Sequence, residues 1–316
     1  MKVLVTPTSF KPDRGGPALE LLRSFSEDLV FNPLERPLSE DELIPLISGC
    51  TGFIAGLDSV TRKVIENAPD LKVISRYGVG VDQVDIKAAK EKGIVVCNTP
   101  GSNANAVADL AFALLLCIAR KVPLLDRKTR EGQWIRSTGF ELFGKTIGIV
   151  GLGAVGKAVA KRASGFSMSV MAYDPFINTE YAQANNITAA SFDEVIGEAD
   201  IISLHLPLTD ETRYIISNEV MQKMKNGAVI INTARGGLID EKAAYDHLKS
   251  GHLGGLGLDA FETEPPGSST LFFLDNVVLT PHTGAHTSEA IAAMAGLSVK
   301  NLIDVLSGRD CGYAVN

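Results

Sequence analysis

Along the first hundred residues, short runs of β-branched and other apolar residues alternate with stretches whose apolar positions recur at helical spacing. The runs predict strands at 2–6, 29–31, 52–55, 71–75 and 94–97, and the stretches between them predict helices at 17–25, 40–47, 61–68 and 86–92. Strand, helix, strand, repeated, implies a parallel sheet covered by helices. The turn Asn98-Thr99-Pro100-Gly101 closes this block, and a long apolar helix is predicted over 103–120. After an irregular stretch around Trp134 the alternation restarts, with strands predicted at 146–150, 169–173, 201–204, 228–232, 256–259 and 277–279. Six strands with crossovers fit a doubly wound sheet. The segment 287–305 reads as a helix that returns to the first block. The fold class is α/β in two domains. One comprises residues 1–98 plus 287–316, and the other, residues 99–286, is inserted into it.

Composition narrows the possible partners. Among the 316 residues, 45% are hydrophobic and 21% charged, as in a folded soluble protein. A net charge of −7 argues against binding nucleic acid or an anionic membrane surface by bulk charge. The apolar run from Ala106 to Ala119 contains Asp109 and is too short to span a bilayer, so no membrane association is expected. The N-terminus lacks a signal-peptide pattern. Cysteines 50, 97, 117 and 311 form no CxxC, which suits a reducing cytosol, and no metal site is expected.

Candidate chemistry begins at the glycine-rich turn after the strand at 146–150. Gly151, Gly153 and Gly156 make GxGxxG between a strand and a helix. The first glycine allows the tight turn, the second lets backbone approach a pyrophosphate, and the third lets the helix pack closely on the sheet. Asp174 ends the next strand at the distance expected of a carboxylate that binds the ribose 2′-hydroxyl. No Lys or Arg occurs between Arg162 and Arg213 to bind a 2′-phosphate, so NAD is expected rather than NADP. The inserted domain is therefore expected to bind the dinucleotide, and the domain around it the substrate.

Three charged or titratable residues follow predicted strands in the same half: Arg235 before Gly236-Gly237, Glu264 before Pro265-Pro266, and His282 after Thr280-Pro281. Ligands of open parallel sheets gather outside the carboxyl ends of the strands, where all three lie. Each alone has a duller reading, as a solvated turn, a surface loop or a structural histidine; together with the glycine loop they read as a site.

These segments resemble the D-isomer-specific 2-hydroxy acid dehydrogenase family, which includes D-3-phosphoglycerate, glycerate and D-lactate dehydrogenases. The resemblance runs from about Leu71 onward. It rests on Arg76-Tyr77-Gly78-Val79-Gly80-Val81-Asp82, Asn98-Thr99-Pro100, the glycine loop, Thr233-Ala234-Arg235-Gly236-Gly237, Leu258-Asp259-Ala260-Phe261-Glu262-Thr263-Glu264-Pro265 and Thr280-Pro281-His282. It implies a flavodoxin-like substrate-binding domain and a Rossmann-type NAD-binding domain. It also implies that His282 is the general acid/base, Glu264 its carboxylate partner, and Arg235 the clamp on the substrate carboxylate. Gly78, Val79 and Gly80 would form a second, backbone clamp. Ala154, Val155, Leu206, Thr233, Ala234, Asp259 and Gly284 would line the dinucleotide, with Asp259 on the nicotinamide carboxamide.

The substrate implied is a small 2-hydroxy or 2-oxo acid, and the assembly a cytoplasmic homodimer built through the apolar helix 103–120 and the segment around Trp134. The stretch 52–61 carries no basic residue, and Asp58 would oppose a substrate phosphate if it faced the site. The chain ends soon after the family core, so no appended regulatory domain is expected. Two alternatives stay open: an NAD(H)-sensing, corepressor-like binding protein, and a formate or phosphite dehydrogenase on the same scaffold. In the formate branch a glutamine stands where Glu264 does here.

Overall fold

The computed structural model describes residues 1–14 and 16–316. They divide into two compact units, Met1–Asn103 with His286–Asn316, and Ala104–Ala285. The divisions fall at 103/104 and 285/286, where 98/99 and 286/287 are expected from the sequence.

In the first unit the chain runs β1 (Lys2–Val5), α1 (Gly16–Phe25), β2 (Asp28–Phe31), α2 (Glu40–Ile47), β3 (Gly52–Ala55), α3 (Arg62–Glu66), β4 (Val73–Arg76), α4 (Ile86–Glu91) and β5 (Val95–Cys97). The five strands are parallel, in the order β2-β1-β3-β4-β5, which is the flavodoxin-like arrangement. Side chains that cap the first turns start the helices: Thr61 accepts from the Val64 N–H and Asp85 from the Ala88 N–H. Leu4, Phe53, Ile74 and Val96 from the strands pack with Leu43, Ile47, Val64 and Ala88 from the helices on one face. The last helix of the chain, Ser288–Leu306, packs against β3, β4 and α1. The Ser75 hydroxyl donates to the Ser298 carbonyl (2.8 Å) and the Tyr77 hydroxyl to that of Ile291 (3.0 Å).

Asp58 does not face outward from this unit. It is buried at the end of β3, where its carboxylate accepts from the Leu38 N–H (2.8 Å), the Gly56 N–H (2.9 Å) and the Thr6 hydroxyl. The expected opposition between Asp58 and a substrate phosphate therefore falls away. The carboxylate is consumed in holding the turns that follow β1 and β3.

The second unit runs α5 (Ala104–Arg120), α6 (Val122–Arg130), β6 (Thr146–Val150), α7 (Ala154–Gly165), β7 (Ser169–Tyr173), α8 (Thr179–Ala184), β8 (Ile187–Ala189), α9 (Phe192–Glu198), β9 (Ile201–Leu204), α10 (Asn218–Lys223), β10 (Ala228–Asn232), α11 (Glu241–Ser250), β11 (Leu253–Leu258) and β12 (Val277–Leu279). All neighbouring strands pair in parallel, in the order β12-β11-β10-β9-β6-β7-β8. This is the doubly wound order with its reversal between β6 and β9. The sheet has seven strands where six are expected; β8, a three-residue edge strand, is the addition. Apolar residues cover both faces, one cluster centred on α5 and α7 and the other on α9, α10 and α11.

The long helix α5 also departs from expectation. Its apolar side chains, among them Ala111, Leu114, Leu115 and Ile118, are buried against β10, β11 and α7 within its own unit. Its composition therefore gives no support to a dimer. No helix among the described residues is long and apolar enough to cross a membrane.

Removing the Asp58 carboxylate would orphan the buried Leu38 N–H, at about 1–3 kcal/mol when uncompensated, and leave the Gly56 N–H and the Thr6 hydroxyl with their bonds to Thr6 and the Ile54 carbonyl alone. Asp58→Ala is expected to lower unfolding stability by about 3 kcal/mol in chemical denaturation; an unchanged midpoint would show that these turns hold without it.

Candidate active site

The glycine turn between β6 and α7 has the geometry of a phosphate cradle. Gly151 sits at φ +102°, a left-handed conformation, with its α-carbon against the His205–Leu206 peptide. A β-carbon on Gly156 would overlap the carbonyl oxygen of Gly151, so the third glycine is required for α7 to approach the strand. Gly153 is different. It is the N-cap of α7 with nothing within 4 Å of a β-carbon there, so its space lies outside the protein. Ala154 and Val155 follow as the first residues of α7, whose N-terminal N–H groups favour an anion. Asp174, at the end of β7, accepts from the Leu152 N–H (2.8 Å) and the Phe176 N–H (2.9 Å). The carboxylate is thus fixed beside the glycine turn.

The other dinucleotide candidates lie in loops that follow adjacent strands of the same sheet. Leu206 follows β9, Thr233 and Ala234 follow β10, and Asp259 follows β11. The Thr233 hydroxyl is buried with no partner among the described residues, as expected where a bound polar group completes its bonding. The open space at Gly153 and this orphaned hydroxyl both fit NAD. Asp259 is buried, and its carboxylate accepts from the Thr280 hydroxyl (2.6 Å), the Thr283 N–H (2.8 Å) and the Gly284 N–H (2.8 Å). Its main work within the protein is to tie down the loop after β12.

That loop carries His282, which adopts φ +50°. A non-glycine residue in this region is uncommon, and such conformations concentrate at functional sites. The His282 Nδ1 lies 2.7 Å and 2.9 Å from the two Glu264 carboxylate oxygens. Glu264 Oε1 also accepts from the Phe261 N–H (3.0 Å). Burial by itself raises the Glu264 carboxyl, but the hydrogen bond and charge of His282, the Phe261 N–H and the charge of Arg235 together hold it below the ordinary carboxylate range. The stability this lends is present above that ordinary range and is lost as pH falls through the lowered value. With Nδ1 directed at Glu264, the ring's Nε2 is the nitrogen left for a substrate.

Arg235 begins the tight turn Gly236–Leu238 after β10, and its guanidinium donates to the Ala234 carbonyl (2.8 Å). A β-carbon on Gly236 would overlap the Phe261 carbonyl group, so the arginine turn lies directly on the glutamate loop. Asn232, which sequence reasoning passed over, shapes this turn: its amide accepts from the Ala234 N–H (3.0 Å) and donates to the Arg235 carbonyl (2.7 Å). An Asn at the end of a strand is the local signal that could have found it.

Gly78, Val79 and Gly80 lie in the first unit, in the loop after β4. Gly78 has φ +143°, its carbonyl accepts from the Thr99 N–H (3.0 Å), and that of Val79 from the Asn98 amide (2.9 Å). His205, expected from sequence to flank the adenosine side without a chemical role, bonds Ser203 (2.8 Å), and desolvation holds its ring down to about 3, neutral at pH 7. His247 and His252 bond Asn218 and the Met221 carbonyl, and both are structural.

Residues 112–284 match the sequence model of the D-isomer specific 2-hydroxyacid dehydrogenase NAD binding domain. The chain belongs to this family. A D-3-phosphoglycerate dehydrogenase of Methanocaldococcus jannaschii is 44% identical over 283 residues, which cover 88% of the chain and 54% of that protein. The chain thus spans about half the length of that relative. A glyoxylate reductase of Korarchaeum cryptofilum is 39% identical over 311 residues, covering 96% of the chain and 92% of the relative. The solved D-lactate dehydrogenase of Aquifex aeolicus, in complex with NAD and lactic acid, superposes with a TM-score of 0.88 at 28% identity over 99% of each chain. NAD is accordingly the cofactor of the second unit.

The glycine turn separates fold from binding. Gly153→Ala is expected to unfold at the wild-type temperature yet bind NADH at least about tenfold more weakly, because only the open position is filled. Gly156→Ala is expected to lose stability itself. Thermal unfolding and NADH fluorescence titration check both, and equal NADH affinity in Gly153→Ala and wild type would refute the cradle.

Proposed function

We propose that this protein is an NAD-dependent D-2-hydroxy acid dehydrogenase that interconverts a small 2-hydroxy acid and its 2-oxo acid. The observation that carries the reading is the Glu264–His282 pair at 2.7 Å, on strand ends of an NAD-binding sheet and beside the Arg235 turn. The nicotinamide, when bound, supplies or accepts the hydride at substrate C2. Gly151, Gly153, Ala154, Val155 and Gly156 hold the pyrophosphate, Asp174 the adenosine ribose, and Leu206, Thr233, Ala234, Asp259 and Gly284 the remainder.

The residues of the chain do the rest. Arg235 holds the substrate carboxylate through its two-pronged guanidinium. The N–H groups of the Gly78-Val79-Gly80 loop are a second carboxylate-binding element. Protonated His282 delivers its Nε2 proton to the 2-oxo oxygen during reduction, and the neutral ring takes the hydroxyl proton during oxidation. Glu264 orients the ring by accepting from its Nδ1.

The substrate reading is a 2-oxo acid with a small uncharged substituent, such as glyoxylate or hydroxypyruvate. The arginine-free stretch 52–61 supports it, as do glyoxylate reductase relatives matched over most of their length. We further propose a cytosolic homodimer. Trp134 (86% exposed) and Phe143 (74% exposed), with Ile135 and Val122, are exposed apolar side chains of the kind that a second copy would cover.

Following NADH consumption over a panel of 2-oxo acids tests the reading. Preferred turnover of glyoxylate or hydroxypyruvate is expected, preference for phosphohydroxypyruvate would overturn the uncharged substituent, and tight NADH binding without turnover would favour a sensor. His282→Ala is expected to lose about 10²- to 10⁴-fold in turnover while NADH binding is kept. Glu264→Ala, which leaves His282 Nδ1 without its acceptor, is expected to lose about tenfold or more in turnover while NADH binding is kept. Wild-type turnover would remove Glu264 from that role.

A further inference from the structure

A pair of glutamates next to the site takes no part in the binding or chemistry described above. Glu262 lies two residues before Glu264 in the loop after β11, and Glu241 is the first residue of α11, shortly after the Arg235 turn. The Glu241 N–H donates to Glu262 Oε1 (3.0 Å), and the Glu262 N–H donates to Glu241 Oε1 (2.7 Å). Each residue therefore holds the other's main chain. The Tyr214 hydroxyl donates to the second Glu262 oxygen (2.9 Å), and Arg213 donates to the Tyr214 oxygen (3.1 Å) while lying 4.6 Å from the centre of its ring. The Tyr214 N–H donates to the Gly237 carbonyl (2.8 Å), which returns the network to the arginine turn.

We propose that Glu241 and Glu262 are positioning residues, whose reciprocal hydrogen bonds clamp the loop 261–264 to the start of α11 and so fix the Glu264 carboxylate against His282. The start of the loop is fixed by burial of Phe261 and by its contact with Gly236, and the reciprocal glutamate bonds extend that hold to the residues leading to Glu264. The arrangement sets like charges side by side: burial pushes the Glu241 carboxyl up, the Glu262 N–H pulls it back, and the charges of Glu262 and Glu264 push it up again. Geometry rather than attraction between the side chains is what the contact provides. The clamp rests on the reading of Glu264 and His282 as the proton-handling pair. Loosening it misaligns the ring without touching Arg235 or the glycine turn, so the loss falls on kcat rather than on KM.

Two substitutions at Glu262 separate reach from charge. Glu262→Gln keeps a carbonyl oxygen at the same reach and loses the charge; Glu262→Asp keeps the charge and falls short. Steady-state reduction of the preferred 2-oxo acid by NADH is expected to show kcat down about tenfold or more in Glu262→Asp and Glu262→Ala. KM and NADH affinity should stay near wild type, and Glu262→Gln should retain most of the turnover. Wild-type kcat in Glu262→Asp, or equal damage in Glu262→Gln, overturns the clamp. Should Glu262→Ala fail to fold, the Asp and Gln variants decide; failure of all three to fold assigns Glu262 to stability and equally overturns it. His282→Ala run alongside keeps the two readings apart. Full activity there defeats the proton-handling pair, whereas its loss beside a fully active Glu262→Asp defeats the clamp alone.

Discussion

The loops at the strand ends of the second unit depend on one buried carboxylate, that of Asp259. Its three hydrogen bonds reach Thr280, Thr283 and Gly284, on both sides of His282. Buried carboxylates are tolerated only where donors replace the lost water, and here the donors come from the loop whose shape matters. With both flanks held, His282 keeps a left-handed backbone that would otherwise relax, and its ring meets Glu264. Asp259 directly follows Leu258, which pairs with Leu279 at the end of β12, so the end of the sheet is tied directly to the loop after β12.

The parallel sheet explains why the other parts arrive nearby. Every strand of the second unit ends on the same edge, and β10, β11 and β12 are consecutive neighbours there. Arg235, Glu264 and His282 follow those three strands in turn. Gly236 lets the first loop rest on the second, and Asn232 folds the first back on itself. Polar side chains bonding local backbone thus do what helices and strands cannot: they fix the shape of loops.

Much of this was legible in the residue pattern, because buried parallel strands are short apolar runs and the glycine turn is a local signal. The strand β8 was not, since it has three residues, two of them exposed. Helix α6 was not either: nine residues long with a proline in its first turn, it buries none of them. The apolar face of α5 was misread as an oligomer contact, because a sequence does not tell whether a hydrophobic helix packs on its own sheet or on another chain. Asp58 was misjudged for a related reason. Whether an acid faces solvent or fills a turn depends on the Leu38 and Gly56 N–H groups, which are distant or unremarkable in the sequence. The places of Arg235, Glu264 and His282 after β10, β11 and β12 follow from the residue pattern, whereas the Glu241–Glu262 contact does not, being made between side chains and main chain of separate loops.

If Glu264 and His282 serve hydride transfer to C2 of a 2-oxo acid, reduction of such an acid with NADH deuterated at the transferring C4 position places one deuterium at C2 of the 2-hydroxy acid, read by NMR, and none in water. Deuterium retained in the nicotinamide or released to solvent while substrate is consumed would rule that transfer out.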